Sequence, residues 1–118
     1  HMDNDFLEFI PGISSVQLMF ARLKKSWHDA LILSVHGRKT DGLAEQIKDA
    51  PVTALLTGEP WTPRRIAQYL LENNINDLTT AIGQNLSYDD ERIIFTSLQK
   101  MAEDDNNYDN SIMVIFNE

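Results

Sequence analysis

Short apolar runs, most of them closed by glycine, alternate along this chain with segments whose apolar residues fall at helical spacing. Leu7–Ile10 is apolar and ends at Pro11-Gly12. Beyond it Val16, Met19, Phe20, Leu23 and Trp27 share one helical face, and Ser14 with Gln17 has the spacing of a capping box. Ala30–Val35 reads as a strand stopped near Gly37, and a short helix is expected from about Asp41 to Asp49, with Leu43, Ala44 and Ile47 inward. Pro51 leads into a strand over Val52–Thr57, ended by Gly58. Thr62-Pro63 is a helix start: threonine caps, and proline at the first helical position gives up no hydrogen bond. Ile66, Tyr69, Leu70 and Leu71 continue that helix to Asn73-Asn74, two residues that tolerate a left-handed terminus. Leu78–Ile82 before Gly83, Glu91–Thr96 and Ser111–Phe116 read as strands; Leu98–Met101 reads as a helical turn, and acidic Ala102–Asn110 as an exposed loop.

Strands alternating with helices imply an α/β fold. The expected architecture is a single domain with a mixed, largely parallel sheet flanked by helices. The late strands, joined by a short connection, are antiparallel. With 118 residues the chain has the size of one domain and can bury a core without crosslinks. It has no cysteine, which excludes disulfides, thiolate nucleophiles and cysteine-ligated metals and fits a reducing, cytoplasmic setting. Eighteen acidic against ten basic residues give a net charge of −8, which argues against nucleic acid or an anionic membrane as partner. No apolar run is long enough to span a bilayer. His1 before Met2 reads as a cloning scar. Residues 1–5 are expected to be a disordered start and 6–118 a domain excised from something longer.

In open α/β sheets ligands sit outside the carboxyl ends of the strands. Gly12-Ile13-Ser14-Ser15, His36-Gly37-Arg38, Thr57-Gly58-Glu59 and Gln84-Asn85-Leu86-Ser87 should therefore share one rim. Glycine there either ends a strand or lets the backbone approach a ligand, and the four together favour a crevice. The helix start at Gly12–Ser15 either receives a carboxylate or phosphate or is a plain cap. His36 and Arg38 either bind carboxylates or form a polar turn in water. Neither G-x-G-x-x-G nor G-x-x-x-x-G-K-[ST] is present, and no serine sits in a G-x-S-x-G elbow. Two histidines beyond His1, with scattered acids, do not compose a metal site. Asp104–Asn110 lacks the turn glycine and closing glutamate of a calcium loop.

Several of these segments, taken in order, resemble one family. Phe9-Ile10-Pro11-Gly12-Ile13-Ser14-Ser15-Val16-Gln17 is similar to the segment joining the two halves of tetrapyrrole (corrin/porphyrin) methylases. Ser34-Val35-His36-Gly37-Arg38, Leu55-Leu56-Thr57, Thr62-Pro63 with Ile66-Ala67, and Asn85-Leu86-Ser87-Tyr88-Asp89-Asp90-Glu91-Arg92-Ile93 resemble the branch that methylates C(5) of a precorrin or cobalt-precorrin in cobalamin biosynthesis. Gln84, where that branch often has glutamate, Asp89, where proline is usual, and Gly58-Glu59-Pro60-Trp61 depart from its pattern.

The resemblance implies two α/β halves with S-adenosylmethionine bound in the cleft between them, and this chain as the C-terminal half only. Gly12, Ser14, Ser15, Thr57, Gly58, Leu86 and Ser87 are then the expected cofactor contacts. His36 and Arg38 are the expected substrate contacts. No catalytic residue and no metal are assigned. The implied partners are a precorrin or cobalt-precorrin and the N-terminal half of the protein, with a homodimer through the uncovered cleft face as a further expectation. Without the resemblance, a non-catalytic α/β module that binds a ligand or a protein fits the same residues.

Overall fold

The computed structural model describes residues 11–26, 29–36, 42–58, 61–106, 108 and 111–117. The expected strand at Leu7–Ile10, the start at 1–5, and Trp27, Gly37, Arg38 and Glu59 lie outside the described residues. Helix α1 spans Pro11–Leu23, β1 Leu31–His36, α2 Leu43–Asp49, β2 Val52–Gly58, α3 Pro63–Glu72, β3 Thr79–Gln84, β4 Arg92–Ser97, α4 Leu98–Ala102 and β5 Ser111–Phe116.

Most boundaries follow from local chemistry. Thr62 caps α3, its Oγ1 accepting the Arg65 N–H at 3.3 Å, with Pro63 at the first helical position. Asn74, just past the C-cap at Asn73, takes a left-handed φ of 69°. Ser97 caps the short α4 in the same way through Lys100 N–H. Helix α2 starts from Gly42 at φ 80°, a backbone that only glycine adopts without strain. One expectation is corrected. Helix α1 runs back to Pro11, so Ser14 lies within its first turns and is not the N-cap. The capping-box spacing misled because Pro11 can itself open a helix.

The five strands form one mixed sheet in the order β1-β2-β5-β3-β4. Strands β1 and β2 pair in parallel, while β2·β5, β5·β3 and β3·β4 are antiparallel. Strands β1, β2 and β3 thus run one way and the two late strands the other. The parallel share of the pairing is nevertheless a single pair, because β5 inserts between β2 and β3. Its run Ile112–Ile115 is buried on both faces, as a central strand must be.

Side-chain alternation splits the core into two layers. On one face α1 sets Val16, Met19 and Phe20 against Val52, Ala54, Ala81, Ile112 and Val114. On the other, α2, α3 and α4 cover Leu55, Ile82, Met113 and Ile115 with Leu43, Ile47, Ile66, Leu70, Leu98 and Met101. Thr53, the second residue of β2, is 1% exposed, and its hydroxyl has no hydrogen-bond partner among the described residues. A buried, unsatisfied hydroxyl costs about 1–3 kcal/mol. Thr53→Val should therefore raise the unfolding free energy by about 1 kcal/mol in urea denaturation, since valine keeps the branched shape without the polar atom. A loss of stability would mean that the hydroxyl is satisfied.

Candidate functional site

The co-directional strands β1, β2 and β3 bring their carboxyl ends to one edge of the sheet. His36 at the end of β1 stands in register with Gly58 at the end of β2. Gln84 at the end of β3 pairs with Ser111 on one side and Arg92 on the other. The antiparallel strands therefore contribute their first residues to the same rim. Thr57 lies beside Ser111: its Oγ1 donates to the Ser111 carbonyl at 3.0 Å and lies 2.9 Å from the Ser111 hydroxyl. Gln84 Oε1 accepts from Arg92 Nη2 at 2.8 Å. By the period of two, Thr57, Ser111, Gln84 and Arg92 all lie on the α2–α4 face, in a polar row across four neighbouring strands.

Helix α1 reaches the rim from the other face. Met19 packs at Gly83, one residue from the end of β3, whereas Lys25 lies with its Nζ 5.3 Å from the ring centroid of Phe116, at the opposite sheet edge. The helix therefore descends from the rim, and Ser15, one turn before Met19, stands at its upper end. Gly12 and Ser14 belong to that same end by their backbone.

Between β3 and β4 the chain makes a tight turn. Asn85 and Ser87 both take left-handed backbones, φ 54° and 72°. Leu86 between them points inward at 8% exposure, against the Met19 layer. Glu91 holds the turn. Its Oε1 accepts the Ser87 N–H at 2.8 Å and Arg22 Nη2 at 3.3 Å, while its Oε2 takes Arg22 Nε at 2.8 Å. The hydrogen bond from Arg22, and then that from Ser87 N–H, lower the Glu91 pKa; the same contact with Glu91 raises that of Arg22. Asn85 Nδ2 donates to Asp90 Oδ2 at 2.9 Å across the same turn.

The structure thus brings Ser15, Thr57, Gly58, Leu86 and Ser87 to one rim, with the backbone of His36 at its β1 end. Arg38 lies outside the described residues. Sequence reasoning missed Ser111, the Arg22–Glu91 pair and Arg92. Glu91 and Arg92 stood inside a segment already singled out, but nothing local announced a partner 69 residues away. Tyr108 was missed too. The acidic segment expected to be an exposed loop turns this ring into the core at 7% exposure. Its hydroxyl donates to Asp104 Oδ2 at 2.6 Å. Burial, and then this hydrogen bond, raise the phenol pKa, and the same bond lowers that of Asp104. Among the described residues no three His, Asp or Glu side chains converge as a metal-binding group, and no helix is long and apolar enough to cross a membrane.

Comparison with known proteins places relatives around this geometry. The profile of the Tetrapyrrole (Corrin/Porphyrin) Methylases matches residues 3–102. A probable cobalt-precorrin-7 C(5)-methyltransferase of Methanocaldococcus jannaschii is 35% identical over 105 residues, covering 86% of this chain and 48% of the relative. The crystal structure of the cobalamin-biosynthesis precorrin-6Y methylase of Archaeoglobus fulgidus aligns with a TM-score of 0.61 at 19% identity, over 88% of this chain and 45% of that one. Uroporphyrin-III C-methyl transferase from Thermus thermophilus, solved with S-adenyl homocysteine, aligns with a TM-score of 0.60 at 19% identity, over 75% and 40%. The chain spans about half the length of the curated relatives it matches.

Proposed function

The chain belongs to the tetrapyrrole (corrin/porphyrin) methylases, and on that premise we propose that it is the C-terminal half of an S-adenosylmethionine-dependent enzyme that methylates a precorrin or cobalt-precorrin ring carbon. The observation that carries the reading is the rim itself: three co-directional strand ends, the upper end of α1 and the Asn85–Ser87 turn converge on one edge. The donor set fits a nucleoside cofactor in kind. Ser15, Thr57, Gly58, Leu86 and Ser87 are all neutral, with hydroxyls at Ser15, Thr57 and Ser87 that can exchange hydrogen bonds and no charged cage. These residues, with Gly12 and Ser14, are the ones we assign to the cofactor. His36 at the β1 end, and Arg38 two residues after it in the sequence, are assigned to the substrate.

Bound S-adenosylmethionine supplies an electrophilic methyl group. What the protein adds is orientation, because displacement at that carbon needs an in-line approach and is accelerated chiefly by proximity. In this chain the Arg22–Glu91 pair fixes the turn bearing Leu86 and Ser87, and Ser111 fixes Thr57. The N-terminal half of the protein would close the cleft, so the C-terminal half by itself is expected to be inactive. Pairing of two copies over the uncovered cleft, and work in the cytoplasm, complete the proposal.

A two-dimensional amide titration with S-adenosylhomocysteine tests it. Shifts are expected at Ser15, Thr57–Gly58 and Leu86–Ser87. Shifts confined to other elements would favour a non-catalytic ligand-binding module. Absence of shifts at saturating ligand, both in this chain and in a protein carrying the preceding half, would remove the cofactor site.

A further inference from the structure

Arg92 is built like a binding group with no carboxylate partner among the described residues. It opens the edge strand β4 and is exposed. In a chain with eighteen acids and ten basic side chains, arginines readily find carboxylates: Arg22 meets Glu91 and Arg64 meets Asp105. Arg92 meets none among the described residues. Its guanidinium instead donates to Gln84 Oε1 at 2.8 Å and lies 5.9 Å from the ring centroid of Tyr108.

Both of these supports are fixed. Gln84 is 8% exposed and Tyr108 7%. The Tyr108 hydroxyl is itself held by Asp104, whose other oxygen accepts the Asn106 N–H at 2.8 Å. An arginine ordinarily gives up much side-chain freedom when it engages an anion; here part of that ordering already exists. The amide of Gln84 orients the guanidinium without neutralising it, whereas an acid at position 84 would form an internal ion pair. A guanidinium has five N–H donors in a planar fork suited to a carboxylate, and Gln84 engages one nitrogen.

We propose that Arg92 is a carboxylate-binding point of the rim, taking a peripheral acidic side chain of a tetrapyrrole at the β4 end, across the sheet from His36. This rests on the reading of the rim as a tetrapyrrole methylase crevice. It adds a substrate contact to that crevice and leaves the cofactor contacts as they are.

The test uses the 118-residue chain with uroporphyrin, an octacarboxylate, as the probe, in a fluorescence titration at low salt. Loss of one oriented guanidinium–carboxylate contact corresponds to about a tenfold rise in Kd for Arg92→Ala. Arg92→Lys, which keeps the charge but not the fork, should fall between the two. Gln84→Glu should weaken binding as well, by giving Arg92 an internal partner. The S-adenosylhomocysteine amide shifts should persist in Arg92→Ala, which also reports that the variant is folded. Equal uroporphyrin affinity in the parent chain, Arg92→Ala and Gln84→Glu would overturn the proposal, as would a parent chain that binds no uroporphyrin. Uroporphyrin binding that depends on Arg92, with S-adenosylhomocysteine ignored both by this chain and by a protein carrying the preceding half, would support the carboxylate point while removing the cofactor reading.

Discussion

Phe20→Ala is expected to lower the unfolding free energy by about 3–5 kcal/mol, the range for deleting a large buried aromatic side chain. Phe20 is fully buried and lies at the centre of the layer between α1 and the sheet. Among the described residues α1 is the one helix on that face. The loss should appear as a lower urea midpoint at an unchanged m-value. It should also raise amide exchange in α1 ahead of α3, which packs on the opposite face. A change below about 1 kcal/mol would mean that α1 is not seated on the sheet as described, since surface substitutions fall in that range. The same variant should weaken any ligand that uses the Ser15 end of the helix.

Gly83→Ala carries the second large effect. A Cβ at this position would overlap Met19 Sδ and lie 3.3 Å from both Ile112 Cγ2 and Leu86 Cδ2. Met19 is flexible in principle, but it is fully buried, so its sulfur cannot retreat without displacing other core atoms. Overpacking of this kind costs about 1–3 kcal/mol. The contact with Leu86 adds a functional consequence, because pushing that side chain outward disturbs the turn assigned to the cofactor. Met19→Ala opens space at the point of overlap, so the double variant should lose less than the sum of the two single losses. Strict additivity would show that Gly83 and Met19 do not share this contact.

How much of this could be read from the chain depended on the range of the interactions. The cap at Thr62 and the strand expected over Val52–Thr57 rest on neighbours a few residues away; both appear, the strand running one residue further to Gly58. Ser14 shows the limit of local pattern: its capping-box spacing is real, yet Pro11 opens the helix a turn earlier. Tyr108 shows another limit, since Asp104, Asp105 and Asn106 make its segment look fully solvated, while one ring in it belongs to the core. The ordered motifs revealed the family. They left unseen how Ser111, Gln84 and Arg92 come to stand in one row, because that depends on which strands are neighbours.

The sequence by itself determined the α/β class, the strand and helix inventory from β1 onward and the likeness to tetrapyrrole methylases. Each is encoded in residues close along the chain. The tertiary structure alone decided that β5 enters between β2 and β3, that Arg22 reaches Glu91, and that Arg92 rests on Gln84 and Tyr108. Those choices follow from burying two apolar faces at once. Residues 111–116 are apolar enough to lie at the centre of the sheet, and placing them there brings the starts of two late strands to the rim where the earlier strands end.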